Sequence, residues 1–68
     1  MTPTYLVFWP GCNDDFQTHD SELQARMAAD FAARIRGSAD VYENRWGRTR
    51  HITTVTREEI RAAEREAA

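Results

Sequence analysis

The sequence predicts a small two-layer α/β domain of the α+β kind, with its elements in the order β-α-β-β-α. Three observations support this fold class. The apolar run TYLVFW at residues 4–9 is typical of a buried strand. Apolar residues then recur every four positions over residues 21–36, as they do in an amphipathic helix. Near the end, two strand-like segments flank a glycine, as in a β-hairpin. We therefore expect one domain over residues 1–68, with a three-stranded sheet, one main amphipathic helix and a weaker C-terminal helix.

The main helix is predicted over residues 21–36. Ser21 and Gln24 have the spacing of a capping box, and Gly37 is suited to end the helix because glycine tolerates a left-handed conformation. A stripe of large apolar residues runs along the helix, and such a stripe normally faces the core. Its members are Leu23, Met27, Phe31 and Ile35. We expect this helix to cover one face of the sheet.

The hairpin is predicted from strands at residues 40–44 and 49–55, joined by a turn over residues 45–48. Gly47 lies where a hairpin turn requires a left-handed residue. The return strand is rich in β-branched residues. Strand order stays open, because the first connection is long enough for a parallel crossover but also allows strands that are not neighbours.

The C-terminal helix is predicted over residues 57–67. Thr56 and Glu59 have the spacing of a second capping box. Ile60 is the only large apolar residue of this segment. We therefore expect the helix to fray or to dock weakly.

The first strand is apolar on both of its sides, so one main helix leaves part of it uncovered. The C-terminal helix, a second copy, a partner protein or a nucleic acid are the candidates to cover the remaining face. We predict a non-enzymatic interaction module that binds a partner protein or forms a homodimer through this face, since Tyr and Trp are enriched in binding hot spots. The predicted interface residues are Tyr5, Val7, Trp9 and Tyr42.

The length of the chain also favours self-association. A domain of about this size buries only about 60% of its unfolded surface and is marginally stable. The sequence has 68 residues and a single cysteine, Cys12, so no internal disulfide is available as a stabiliser. Oligomerisation is the most economical remaining source of stability.

An alternative function is suggested by RWGRTRH at residues 45–51, which is the predicted hairpin turn and the start of the return strand. A β-ribbon can contact phosphates through arginine, and a tryptophan can stack on an unpaired base. The candidate nucleic-acid contacts are Arg45, Trp46, Arg48 and Arg50. The net charge is −2, with one arginine against five acids over residues 1–31 and eight against six over residues 32–68, which gives little general attraction to DNA. The simpler interpretation is that Arg48 and Arg50 are solvated charges that block edge-to-edge association of the sheet.

The loop at residues 10–20 collects groups that are capable of metal binding or nucleophilic catalysis. They are Cys12, Asp14, Asp15, His19 and Asp20. Their spacing matches no zinc or calcium pattern, and turns and helix starts require the same residue types. We therefore predict no catalytic residue, metal or cofactor, and at most a brief strand around residues 16–18.

The N-terminal segment has no positive charge before its apolar run, and that run is too short for a signal peptide. No apolar segment reaches the length needed to span a bilayer. We therefore expect a cytoplasmic protein without a membrane partner.

Three segments together resemble those of small accessory proteins of bacteriophages: TYLVFW, SELQARMAADFAARIRG and ADVYENRWGRTRHITTV. In such proteins a strand, an alanine-rich amphipathic helix and a hairpin form a compact α/β unit. The resemblance implies a bacteriophage or actinobacterial source and a protein that acts by binding, to inhibit or redirect a host protein or to block a host defence system. It supplies no catalytic residues.

Overall fold

A computed structural model describes residues 2–67 of the chain as a small α+β domain with a four-stranded antiparallel sheet and two helices. The elements are β1 (Thr4–Phe8), β2 (Gln17–His19), α1 (Glu22–Arg36), β3 (Ser38–Arg45), β4 (Arg48–Thr56) and α2 (Arg57–Ala67). Neither helix in this part of the chain is long and apolar enough to cross a membrane.

The sheet has the strand order β2-β1-β3-β4, so the predicted three-stranded sheet is wrong by one strand. The additional strand is β2, which lies in the predicted loop, where the sequence allowed at most a brief strand around residues 16–18. It pairs with β1, with Tyr5 opposite His19. It has three residues and no apolar alternation, because its position at the sheet edge demands little burial. β1 and β3 are antiparallel neighbours, in a register that places Leu6 opposite Tyr42, so the first connection is not a parallel crossover.

Both ends of α1 are capped by the residues that follow from the sequence. The Ser21 hydroxyl accepts a hydrogen bond from the Gln24 amide at 3.1 Å. At the other end, Gly37 has φ 101° and its amide donates to the Ala33 carbonyl at 2.8 Å. These contacts satisfy backbone groups that the helix leaves unpaired, so they define where α1 begins and ends.

α1 packs on the sheet with its alanines and turns its large apolar residues outward. Ala25, Ala29 and Ala33 are fully buried, whereas the stripe expected to face the sheet is exposed. The expected orientation of the helix is therefore wrong. The physical reason is the limited volume between the helix and the sheet. The strands and α2 already fill the interior with larger side chains, which leaves room only for methyl groups from α1. Those side chains are Tyr5, Val7, Val41 and Ile60.

α2 lies beside α1, on the same face of the sheet. Its Ile60 is buried in the cluster that holds the α1 alanines. Arg34 of α1 bridges Asp30 at 3.0 Å and Glu64 of α2 at 2.8 Å, and the hydrogen bond to Asp30 is the main cause of a raised pKa for the Arg34 guanidinium. Within residues 2–67, no helix covers the opposite face of the sheet. The domain thus has two layers and one open sheet face.

Candidate functional site

The most exposed apolar surface of the domain is a stripe on α1, here called the α1 outer face and formed by Leu23, Met27, Phe31 and Ile35. These side chains are 69%, 64%, 66% and 55% exposed. Among residues 2–67 only two other large apolar side chains are exposed, Phe16 and Trp46. Residues four apart lie on one side of a helix, so the α1 outer face is a continuous ridge.

The area of the α1 outer face is large for so small a domain. If a fully exposed side chain of this size contributes about 200 Å², the four residues together present about 500 Å². That value lies near the upper end of the largest apolar patch on typical monomers, and patches of this size commonly mark interaction sites. The sequence periodicity identified these residues but assigned them to the core. The sequence contains a second stripe with the same four-residue spacing, formed by Ala25, Ala29 and Ala33, and this is the stripe that faces the core.

A groove extends the α1 outer face toward the sheet. It has a volume of about 240 Å³. Its lining residues are Trp9, Gln17, Ala28, Phe31, Ala32, Ile35 and Arg36. Trp9 is half-buried and packs against the core from the end of β1. The groove therefore joins the helical ridge to an indole ring, which widens the apolar surface on one flank.

Ion pairs of the helix itself line the other flank of the ridge. Arg26 contacts Glu22 at 2.9 Å, and Arg34 contacts Asp30 at 3.0 Å. Both pairs are half-exposed, so each contributes little to stability. Because the charges in each pair neutralise one another, the free-energy cost of desolvating this flank is lower when a partner covers the neighbouring apolar residues.

The open face of the sheet carries a row of four rings that crosses all the strands. Phe16, just before β2, stacks on Phe8 with ring centroids 4.8 Å apart. Phe8 meets Tyr42 edge-on at 5.4 Å, and Tyr42 meets His51 at 5.2 Å. His51 also lies 3.5 Å from Asp40. The rings pack on one another and Phe8 and Tyr42 are half-buried, so this face exposes less apolar area than α1 does.

The four residues predicted to form one interface are distributed over different parts of the molecule. Tyr5 and Val7 lie in the core beneath α1, which corrects their expected place on an uncovered face. Tyr42 lies on the open face of the sheet, in the row of rings. Trp9 lies in the groove beside the α1 outer face. No single partner surface can contact all four.

The predicted hairpin turn consists of the two residues Trp46 and Gly47, between β3 and β4. Their φ values are 56° and 74°, and positive φ at both central residues is the requirement of a type I′ turn. Asn-Gly is the preferred sequence for that turn, and a bulky residue in the left-handed region costs about 1 kcal/mol. Trp46 is in addition 69% exposed.

Three arginines surround this turn on one side of the hairpin. Arg45 and Arg48 are direct cross-strand partners, and Arg50 is the partner of Glu43. The Glu43 carboxylate lies 3.5 Å from the Arg45 guanidinium and 3.4 Å from that of Arg50. With Trp46 and Thr49, these side chains line one shallow depression. The structure thus brings together all four residues that the sequence suggested for nucleic-acid contact.

The loop between β1 and α1 does not gather its reactive groups. Cys12 is buried, with its Sγ 3.7 Å from the Asn13 carbonyl oxygen. His19 lies in β2, where its Nε2 is 3.1 Å from the Gln17 side chain. Within residues 2–67, no three His, Cys, Asp or Glu side chains are grouped in a way that would hold a metal ion.

No protein-family model, curated protein or solved structure matches this chain.

Proposed function

We propose that this protein is a non-enzymatic interaction module that self-associates, with two copies meeting through the α1 outer face. The orientation of α1 carries the proposal, since its large apolar side chains point to solvent while its alanines face the sheet. A ridge of residues spaced four apart is the surface that packs between helices in the commonest class of helix–helix contact. A cytoplasmic, phage-type setting is part of the same proposal.

The available area supports a second copy as the occupant. About 500 Å² from each ridge gives about 1,000 Å² for the pair, which is the minimum for a specific interface. The groove beside Trp9 brings the total toward the lower end of stable interfaces. Because each copy supplies the same ridge, a two-fold arrangement closes after two chains and requires only one surface.

The small core also favours a second copy of the chain as the partner that covers the α1 outer face. The largest fully buried side chains among residues 2–67 are Val7 and Val41, and most of the other core residues are alanines. Domains of this length rarely obtain enough stability from such an interior alone. The four large side chains of α1 provide the missing apolar burial when a second α1 covers them.

The dipole of α1 favours an antiparallel pair. Glu22 lies in the first turn of the helix, and Arg34 and Arg36 lie in the last. Glu22 is paired with Arg26, and Arg34 with Asp30 and Glu64, within one copy. The arrangement is therefore decided by the helix dipoles, which are opposed in an antiparallel pair. A second copy therefore matches the surface in its apolar ridge and in the opposed dipole of its helix.

The proposal is tested by light scattering on the wild-type protein and on Phe31→Glu. The wild type is expected at twice the chain mass of 7.9 kDa, and Phe31→Glu at the chain mass. Trp46→Glu is a matched control, because Trp46 is as exposed as Phe31 but lies on the hairpin. Circular dichroism shows whether Phe31→Glu has kept its helices, and Phe31→Ala provides a milder change if it has not.

Three results would overturn the proposal. One is a wild-type protein that stays at the chain mass. Another is a Phe31→Ala or folded Phe31→Glu variant that stays as associated as the wild type, since the contact would then lie elsewhere. A heteromeric complex with a host protein through the same residues, formed by a monomeric wild type, would also replace the self-association.

A further inference from the structure

We propose that the tip of the hairpin binds single-stranded nucleic acid, with one base stacked on Trp46 and the adjoining phosphates held by arginines. The tip is defined here as Arg45, Trp46, Arg48 and Arg50. It is separate from the α1 outer face, so this proposal does not depend on self-association.

Three features of the tip oppose folding. Trp46 adopts a left-handed conformation that suits asparagine or glycine. Its indole is largely exposed and has no aromatic partner among residues 2–67. Arg45 lies directly opposite Arg48, and like charges in that position destabilise a strand pair. Local conflicts of this kind, concentrated in one place, are typical of functional sites.

A ligand that removes the last two conflicts, the exposed indole and the facing arginines, must provide a flat ring and an anion close together. The ring covers the indole, and the anion lies between the two arginines. A nucleotide carries both groups, and a strand repeats them. Guanidinium groups are well suited to phosphate because they donate two parallel hydrogen bonds.

The tip keeps a net positive charge, which favours an anion. The Glu43 side chain is only 13% exposed, and its carboxylate lies between the guanidinium groups of Arg45 and Arg50, so it offsets part of their charge. Arg48 has no carboxylate within ion-pair distance in the part of the chain described. Residues 43–50 contain three arginines and one acid, a balance of +2 within a chain of net charge −2. The tip is thus a basic site on an acidic protein.

The exposed indole favours a single strand over a duplex, because the faces of paired bases are already stacked inside a double helix. It also favours a nucleic acid over an anionic membrane. A membrane contact normally combines charge with several buried apolar side chains, and among residues 2–67 Trp46 is the only large apolar residue that lines the depression.

The test is fluorescence anisotropy with a labelled mixed-sequence oligonucleotide of about 12 nucleotides, as DNA and as RNA. Titrations at about 50 mM and about 200 mM salt measure the electrostatic part of the affinity. Trp46→Asn is expected to weaken binding about tenfold or more, through loss of stacking. The same change is expected to raise the melting temperature, because Asn-Gly suits the turn. A variant that is more stable but binds less separates a ligand contact from a structural role.

Arg48→Gln is expected to weaken binding and to reduce the slope of log K against log salt by about 0.7, the value for one phosphate contact on a single strand. Arg65→Gln, an equal charge change at an exposed position of α2, should alter neither the affinity nor the slope. The proposal is overturned if the wild type does not bind either oligonucleotide at the lower salt, or if Trp46→Asn binds as tightly as the wild type. Binding to phosphatidylserine vesicles without binding to oligonucleotides would also overturn it.

Discussion

Replacing Ala29 by leucine tests whether α1 faces the sheet with its alanines. Ala29 lies in the middle of α1 and is fully buried, in the same cluster as Val7, Val41 and Ile60. A leucine at this position must fit between the helix and the sheet. Since the neighbouring side chains already fill the interior, the helix must move outward or the leucine must adopt a strained rotamer.

The expected cost of this overpacking is about 2 kcal/mol. For a domain of this size, a loss of about 2 kcal/mol lowers the melting temperature by about 10 °C. Thermal unfolding followed by circular dichroism measures the shift, with all variants at one protein concentration. Ala63→Leu is the matched control, because it makes the same change at an exposed position of α2. The control is expected to change stability by less than about 0.5 kcal/mol.

The opposite orientation of α1 predicts the opposite result. If Leu23, Met27, Phe31 and Ile35 covered the sheet, Ala29 would lie at the surface and its replacement by leucine would resemble the control. An Ala29→Leu variant that unfolds at the wild-type temperature, or above it, would therefore refute the inference that the large side chains of α1 are free to meet a partner.

Two further changes test how α1 ends. Arg57→Gln is expected to cost about 1 kcal/mol, because the Arg57 guanidinium donates to the carbonyls of Arg34 and Ile35 at 3.1 and 3.0 Å, where the helix leaves them unpaired. Urea unfolding measures the loss, and Arg61→Gln serves as a control that should be neutral. Gly37→Ala is expected to cost about 1–2 kcal/mol, since φ 101° is unfavourable for a residue with a Cβ atom. An unchanged urea midpoint for Arg57→Gln would contradict a stabilising role for its hydrogen bonds. An unchanged midpoint for Gly37→Ala would contradict the left-handed conformation of residue 37.

Local signals in the sequence were sufficient for the helix boundaries and the hairpin. Ser21 and Thr56 each accept a hydrogen bond from the backbone amide three residues later, as their capping patterns indicated. Gly47 lies in the two-residue turn. These features depend on neighbours within a few positions of the chain, so composition and spacing are enough to predict them.

The orientation of α1 depends on the rest of the molecule and was therefore not predictable in the same way. Large apolar residues and alanines both recur every four positions, so the periodicity allows either stripe to face the sheet. The choice is made by Tyr5, Val7 and Ile60, which occupy the interior and leave little depth for α1. β2 is a related case, because its three residues are held by pairing with β1 and not by their own propensity.

The conflicts at the hairpin tip are visible only when sequence and structure are combined. RWGRTRH indicated an exposed basic turn but did not show that Trp46 takes a left-handed conformation or that Arg45 faces Arg48. Register and backbone angles supply that information. With this information, a turn that the sequence alone presents as solvated becomes a candidate binding site.

Sedimentation equilibrium of the wild-type protein, from about 1 μM to about 100 μM, tests the central claim most directly. If two copies meet through the α1 outer face, the fitted mass should rise to twice 7.9 kDa within this range. The melting temperature should rise with concentration over the same range, since association stabilises the folded state by mass action. A single species of 7.9 kDa at every concentration would contradict the claim.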